Sequence, residues 1–147
     1  MNFDDFDHPR RNNIFRHAGF RVGVVIGLVM SAVHWALLLT IGTDAPSYIF
    51  HLFAYFMAGR TAAQQHYNGQ RDSVDHLHGV QAAGVGAAMV ACVIIWFFDI
   101  LFFIIGDALG RDVTFFPVNA YCLIVIDVVV AMGLGAWGGN TVVKQVS

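Results

Sequence analysis

The sequence has little charge. Only 12% of its 147 residues are Asp, Glu, Lys or Arg, about half the fraction that is usual in soluble domains. The formal net charge is −2, and no basic stripe is long enough to follow a nucleic-acid backbone. We therefore expect no nucleic-acid partner.

Cysteine and catalytic motifs are also scarce. The two cysteines, Cys92 and Cys122, lie in apolar stretches and lack a CxxC or comparable metal spacing, so we predict that both are small buried hydrophobic residues. The chain has no nucleophile elbow, P-loop, HExxH motif or dinucleotide fingerprint. We therefore predict no catalytic residues and no enzymatic activity.

Apolar residues, in contrast, are abundant and gathered in blocks. They make up 57% of the chain, and a soluble fold of this size has no room to hide such blocks from water. We predict an all-α integral membrane protein with one domain, whose polar N-terminal segment, 1–19, precedes four transmembrane helices at about 20–42, 46–63, 79–106 and 115–139. Hairpin succession of the helices favours an up-down bundle.

The second predicted span is the shortest. It is apolar for only about 14 residues, which is marginal for crossing a bilayer. We include it because burial against neighbouring helices relaxes the length requirement, and because Arg60 can extend to the headgroups. A polar loop is predicted to follow at 64–78.

The basic residues predict the orientation. Seven of them fall on one side of this topology and only Arg111 falls on the other. The seven are Arg10, Arg11, Arg16, Arg21, Arg60, Arg71 and Lys144. Because cytoplasmic loops carry the excess of Lys and Arg, we predict that both termini are cytoplasmic in a multi-pass protein of the cell (inner or plasma) membrane.

Small residues recur at four-residue spacing on the predicted helices, which lets helix backbones approach closely. We predict that these faces pack inside the bundle. They are Gly23, Gly27 and Ser31; Ala54, Ala58 and Ala62; Gly79, Ala83, Ala87 and Ala91; and Gly133, Gly135, Gly138 and Gly139.

Four ionisable residues lie inside the predicted spans: His34, His51, Asp99 and Asp127. Such residues are costly in lipid and usually face the bundle interior. At 1.5 Å per residue, the first three have similar depths in the outer half of the membrane, whereas Asp127 is nearer the middle. The sequence thus predicts an intramembrane polar cluster.

Three interpretations of this cluster remain open. The residues can join the helices as hydrogen-bonded packing contacts. They can relay protons or admit a small cation, because burial moves the pKa values of His and Asp towards each other. In the third interpretation, His34 and His51 are axial ligands of haem or a chlorophyll-type pigment, or the His and Asp residues bind a metal.

A second polar group lies in the predicted loop. Asp72, Asp75, His76 and His78 fall within seven residues and offer carboxylate and imidazole ligands for a divalent metal. The alternative is an ordinary solvated loop.

The junction of the second and third spans reads Ala58-Gly59-Arg60-Thr61-Ala62, and His78-Gly79 opens the third. This resembles small bacterial four-helix membrane proteins of the YrzE type, in which a Gly and a basic residue close the second helix. The resemblance covers about a sixth of the chain, and the loop here is longer than in that group. It implies a topology, but no activity and no functional residues.

These features favour a small non-enzymatic membrane protein. We expect its partners to be the lipid bilayer and either the subunits of a larger membrane complex or further copies of itself. The alternatives are a small proton or cation channel or transporter component that uses the intramembrane His and Asp, and a haem- or pigment-binding membrane subunit.

Overall fold

The computed structural model describes residues 18–41, 45–70, 79–109 and 120–146, which form four helices. These are α1 (Ala18–Ile41), α2 (Ala45–Gln70), α3 (Val80–Ala108) and α4 (Ala120–Val146). Helices satisfy their own backbone hydrogen bonds, which is what a chain in lipid requires. The all-helical prediction is confirmed for the described residues.

Three of these helices are long and apolar enough to cross a membrane. The qualifying segments are Gly19–Leu37 in α1, Val80–Gly106 in α3 and Leu123–Val146 in α4. α2 is long enough, with 26 residues, but its composition does not qualify, since its second half carries polar side chains such as Gln64, Gln65 and Asn68. Three such helices indicate a membrane protein.

The helices extend past several predicted boundaries. α2 continues to Gln70, so the first part of the segment predicted as a polar loop at 64–78 is helical, and Gln64 Nε2 donates a hydrogen bond to Asn68 Oδ1 one turn later (3.2 Å). α3 ends at Ala108 and α4 extends to Val146. Residues 1–17 and 115–119 lie outside the described part of the chain.

α2 and α3 occupy the centre of the fold. Each packs against the three other helices, whereas α1 and α4 do not contact each other in the described ranges. The main core joins all four helices through small side chains around Tyr55 and Ile95. α2, the most polar helix, is therefore also one of the two most enclosed.

The small face of α1 packs directly on α3. A Cβ atom added to Gly23 would lie 2.5 Å from the carbonyl oxygen of Ala87, and one added to Gly27 would lie 2.9 Å from the Cβ of Ile94. Gly19 is equally close to the backbone of Ala83. The predicted packing role of this face is confirmed.

A second close approach, which we call the glycine crossing, joins Gly59 of α2, Gly84 of α3 and Gly135 of α4. A Cβ atom on Gly59 would lie 2.6 Å from the carbonyl oxygen of Gly135, and one on Gly84 would lie 2.7 Å from the same oxygen. Gly138 packs as tightly on α2. The prediction was wrong for Gly133, which is exposed with open space around its Cα.

Gly79 ends the connection into α3 with a left-handed backbone, at a φ of 78°. A residue with a side chain is strained in this conformation. A Cβ here would also lie 3.0 Å from His66 Nε2. The backbone conformation and the His66 contact both explain why glycine precedes this helix.

The outer surface of the bundle is apolar on every helix. Exposed large side chains include Val25, Val29 and Leu39 on α1, Ile49 and Phe53 on α2, Val93, Phe97 and Ile104 on α3, and Val125, Val129 and Trp137 on α4. A monomer in water rarely exposes apolar surface so widely. Such a surface is typical of a membrane protein.

Candidate functional site

Three of the four predicted intramembrane residues meet in the interior. His34 Nδ1 of α1 lies 3.4 Å from Asp99 Oδ1 of α3, an ion-pair distance when the imidazole is protonated. The His34 and His51 rings have their centroids 5.3 Å apart. His34, His51 and Asp99 are at most 4% exposed. Three helices thus contribute one titratable group each to a common buried point.

Aromatic rings cover one side of this group. The Trp35 ring is nearly parallel to the His34 ring, with centroids 5.6 Å apart, and it also stacks on Phe102 of α3. Phe102 follows Asp99 by three residues and therefore lies one turn further along the same face of α3. The polar group sits against an apolar wall.

Asp127 of α4 forms the second polar centre. Its Oδ2 accepts hydrogen bonds from Tyr55 Oη of α2 (2.7 Å) and from Trp96 Nε1 of α3 (2.8 Å). The Cys92 thiol is a third, weaker donor to the same oxygen at 3.7 Å. Asp127 therefore connects the two central helices to α4.

Helical spacing joins the two centres. His51 and Tyr55 are four residues apart on α2, and their rings lie 6.4 Å apart. On α3, Cys92, Trp96 and Asp99 recur at intervals of four and three residues, which places them on one face. Asp99, His34, His51, Tyr55 and Asp127 thus form a continuous row across the bundle, which we call the polar column.

The second oxygen of Asp127 has a different environment. Asp127 is only half-buried, and in the described part of the chain no hydrogen bond reaches Oδ1. Because the indole N–H of Trp96 can only donate, Oδ2 remains an acceptor whether or not the carboxyl group is protonated. Both hydrogen bonds from the central helices therefore end on a single oxygen of Asp127.

In the opposite half of the bundle, the described side chains that are fully buried are apolar. Among the described residues, the buried polar side chains are Ser31, His34, His51 and Asp99, and Ser31 bonds the carbonyl of Gly27 in its own helix. Below Asp127 the interior consists of the glycine crossing and a small cluster of Ala63, Val80 and Val142. The polar column therefore ends near the middle of the fold.

The sequence analysis missed the partners of Asp127. Tyr55 and Trp96 carry no distinguishing pattern, and Cys92 was expected to be a buried hydrophobic residue only. Cys92 is indeed buried, but its thiol also faces the carboxylate. The one signal available is helical spacing from the predicted residues: Tyr55 follows His51 by four residues, Trp96 precedes Asp99 by three, and Cys92 precedes Trp96 by four.

The described residues contain no group of three or more His, Cys, Asp or Glu side chains arranged to hold a metal ion. The predicted metal ligands Asp72, Asp75, His76 and His78 lie outside those residues, so that hypothesis stays a prediction. The side chain of Cys122 is likewise outside them.

Comparison of the chain with protein-family models, with curated proteins and with solved structures finds no match. The resemblance to the YrzE type therefore stays a prediction.

Proposed function

We propose that the protein is a small non-enzymatic integral membrane protein that works as a subunit of a larger membrane assembly or as a homo-oligomer. The observation that carries this proposal is the half-buried carboxyl group of Asp127, which lies within an apolar helix long enough to cross a membrane. A polar group at this depth is costly in lipid. A neighbouring chain with a hydrogen-bond donor would remove that cost.

The proposal includes a fourth membrane crossing by α2 in an up-down bundle. It is supported by the central position of α2, because enclosure by the other helices lowers the apolar surface that α2 must present to lipid. The direction of the helices supports it as well. Gly19 of α1 packs near Ala83 of α3, and His34, further along α1, packs near Asp99, further along α3, so α1 and α3 run parallel. The chain between two parallel spans has to return across the bilayer, and α2 is the helix that connects them.

We place the termini of this bundle in the cytoplasm. Arg21 lines one cavity together with Thr61 and Gln65 of α2, and Val142, two residues before Lys144, packs on Ala63 of α2. These contacts gather the described basic side chains towards one end of the bundle. Basic residues favour the cytoplasmic face of the cell membrane.

Native mass spectrometry on protein extracted gently from its own membranes tests this function. We expect a mass above that of one chain, from partner subunits or from further copies. A bare monomer that transports ions by itself would contradict the proposal. An excess mass equal to haem or a pigment would instead support the cofactor alternative. Axial ligation by both His34 and His51 would require their rings, now 5.3 Å apart, to separate around the macrocycle.

A second candidate function is proton or cation movement, and the polar column favours it. Titratable groups from four helices follow one another across the fold at short spacing. The apolar half below Asp127 argues against free conduction across the whole membrane. Flux through the reconstituted protein tests this candidate, and its absence would end it.

A further inference from the structure

The polar column lies off-centre between the two ends of the bundle. His51 is six residues from the start of α2 at Ala45 but 19 residues from its end at Gln70, or about 9 Å against about 29 Å at 1.5 Å per residue. His34 is seven residues from the end of α1 at Ile41, about 10 Å by the same measure. We call this nearer end, where α1 ends and α2 begins, the near face.

In the opposite direction, α2, α3 and α4 meet in close backbone contact. At the glycine crossing, a single methyl group on Gly59 or Gly84 would already clash with the Gly135 carbonyl. A chain of water molecules needs polar partners and space. The crossing, with the buried Ala58, Ala62 and Ala88 beside it, provides neither.

We propose that the polar column is a proton-binding site that exchanges protons with water at the near face and not with water at the face that carries Arg21 and Lys144. Protons from the near face convert the carboxylates of the column, Asp99 and Asp127, to carboxyl groups. No proton passes from the column to the opposite face. This inference rests on the membrane placement of the proposed function and narrows its second candidate from conduction to one-sided binding.

Each helix contributes titratable side chains to the column or to its edge, where Tyr55 and Cys92 are hydrogen-bond donors to Asp127. α1 supplies His34, α2 supplies His51 and Tyr55, α3 supplies Asp99 and Cys92, and α4 supplies Asp127. A proton on Asp127 removes the negative charge to which Tyr55 and Trp96 donate. Hydrogen bonds to a charged acceptor are about twice as strong as neutral ones, so protonation weakens the contact between α4 and the two central helices.

Trp96 is a built-in reporter of this change because its indole donates directly to Asp127. The chain has three tryptophans, so Trp35→Phe with Trp137→Phe leaves Trp96 as the single tryptophan, which is excited selectively over tyrosine at the red edge of its absorption. A matched control with Trp35→Phe and Trp96→Phe keeps only Trp137, which is exposed on α4. Both variants are reconstituted in liposomes, with their orientation measured by protease removal of terminal tags.

We expect the Trp96 fluorescence to titrate when the pH is changed at the near face, and to stay constant when only the pH at the Lys144 face is changed. Asp127→Asn in the same background, which preserves shape, should abolish the response, and the Trp137 control should not respond. In liposomes of the unsubstituted protein that contain a trapped pH dye, we expect no proton flux above that of empty liposomes.

Three results would overturn the inference. A change in Trp96 fluorescence when only the pH at the Lys144 face is changed would show that protons reach the column from that face. A proton flux that Asp99→Asn and Asp127→Asn remove would show the same. A Trp96 signal that ignores pH at both faces would show that the column binds no exchangeable proton. A failure of membrane placement is recognised separately, because the tags would then report a different topology.

Discussion

Asp127 is the residue on which the contacts between α2, α3 and α4 converge. It accepts hydrogen bonds from Tyr55 and Trp96 on one oxygen, and Tyr55 is fully buried. A buried donor that loses its acceptor carries its full desolvation cost. The carboxyl group of Asp127 therefore contributes to stability mainly through the hydrogen bonds that it accepts from Tyr55 and Trp96.

We expect Asp127→Ala to destabilise the fold, because it leaves the buried Tyr55 hydroxyl without this acceptor, at about 1–3 kcal/mol, and also removes the hydrogen bond from Trp96. Tyr55→Phe removes one donor but leaves Asp127 bonded to Trp96, so its cost should be smaller, about 0.5–1.5 kcal/mol. The measurement is the free energy of unfolding in mixed micelles at increasing SDS. Asn140→Ala, at an exposed position of α4, is the control. Equal stability of Asp127→Ala and the control would contradict this role.

Residue chemistry shows why part of the site was predictable. His34, His51 and Asp99 were found because ionisable side chains are rare inside apolar spans and because their depths follow from counting residues. The donors to Asp127 were not found, since tyrosine, tryptophan and cysteine are common in membrane helices. Which of them reaches a carboxylate depends on how the helices are rotated against one another.

At the scale of the helices, glycine position decides the packing. Gly135 lies in the glycine crossing, where an added Cβ would be 2.7 Å from the Cβ of Ala88 and 2.8 Å from the carbonyl oxygen of Gly84. Gly133 has open space around it. The two residues are separated by about 200° around α4, so neighbouring glycines of one sequence cluster have opposite roles.

We expect Gly135→Ala to destabilise the protein by about 1–3 kcal/mol, because the backbones of α3 and α4 must move apart. Gly133→Ala is the matched control, and it should be neutral or stabilising by up to about 1 kcal/mol, since alanine is the better helix former. Unfolding in SDS or by heat measures both. The packing account would be wrong if the two variants were equally stable.

Helix existence followed from composition, but helix ends did not. The polar residues from Gln64 onwards suggested a loop at 64–78, yet α2 continues to Gln70, and the glutamines in this segment are good helix formers. The same polar half makes α2 the one helix of the described set that lacks the composition of a membrane span. Periodicity and hydropathy describe one helix at a time, so they do not show how far neighbouring helices shield the polar half of α2 from lipid.

At the scale of the whole molecule, the path of α2 determines the topology. If α2 crosses the bilayer, both ends of the chain and the end of α2 lie on one side. If it does not cross, three crossings place the two ends of the chain on opposite sides. The intramembrane depth of the polar column and its one-sided access both depend on this crossing.

The most direct test is therefore the sidedness of four positions in cells. Tags at the two termini and single cysteines at Gln70→Cys and Leu109→Cys, with the native cysteines replaced, are probed with a membrane-impermeant reagent before and after the membrane is opened. We expect both tags and Gln70→Cys to react only after opening, and Leu109→Cys to react in intact cells. Two tags on opposite sides of the membrane would contradict the four-crossing account.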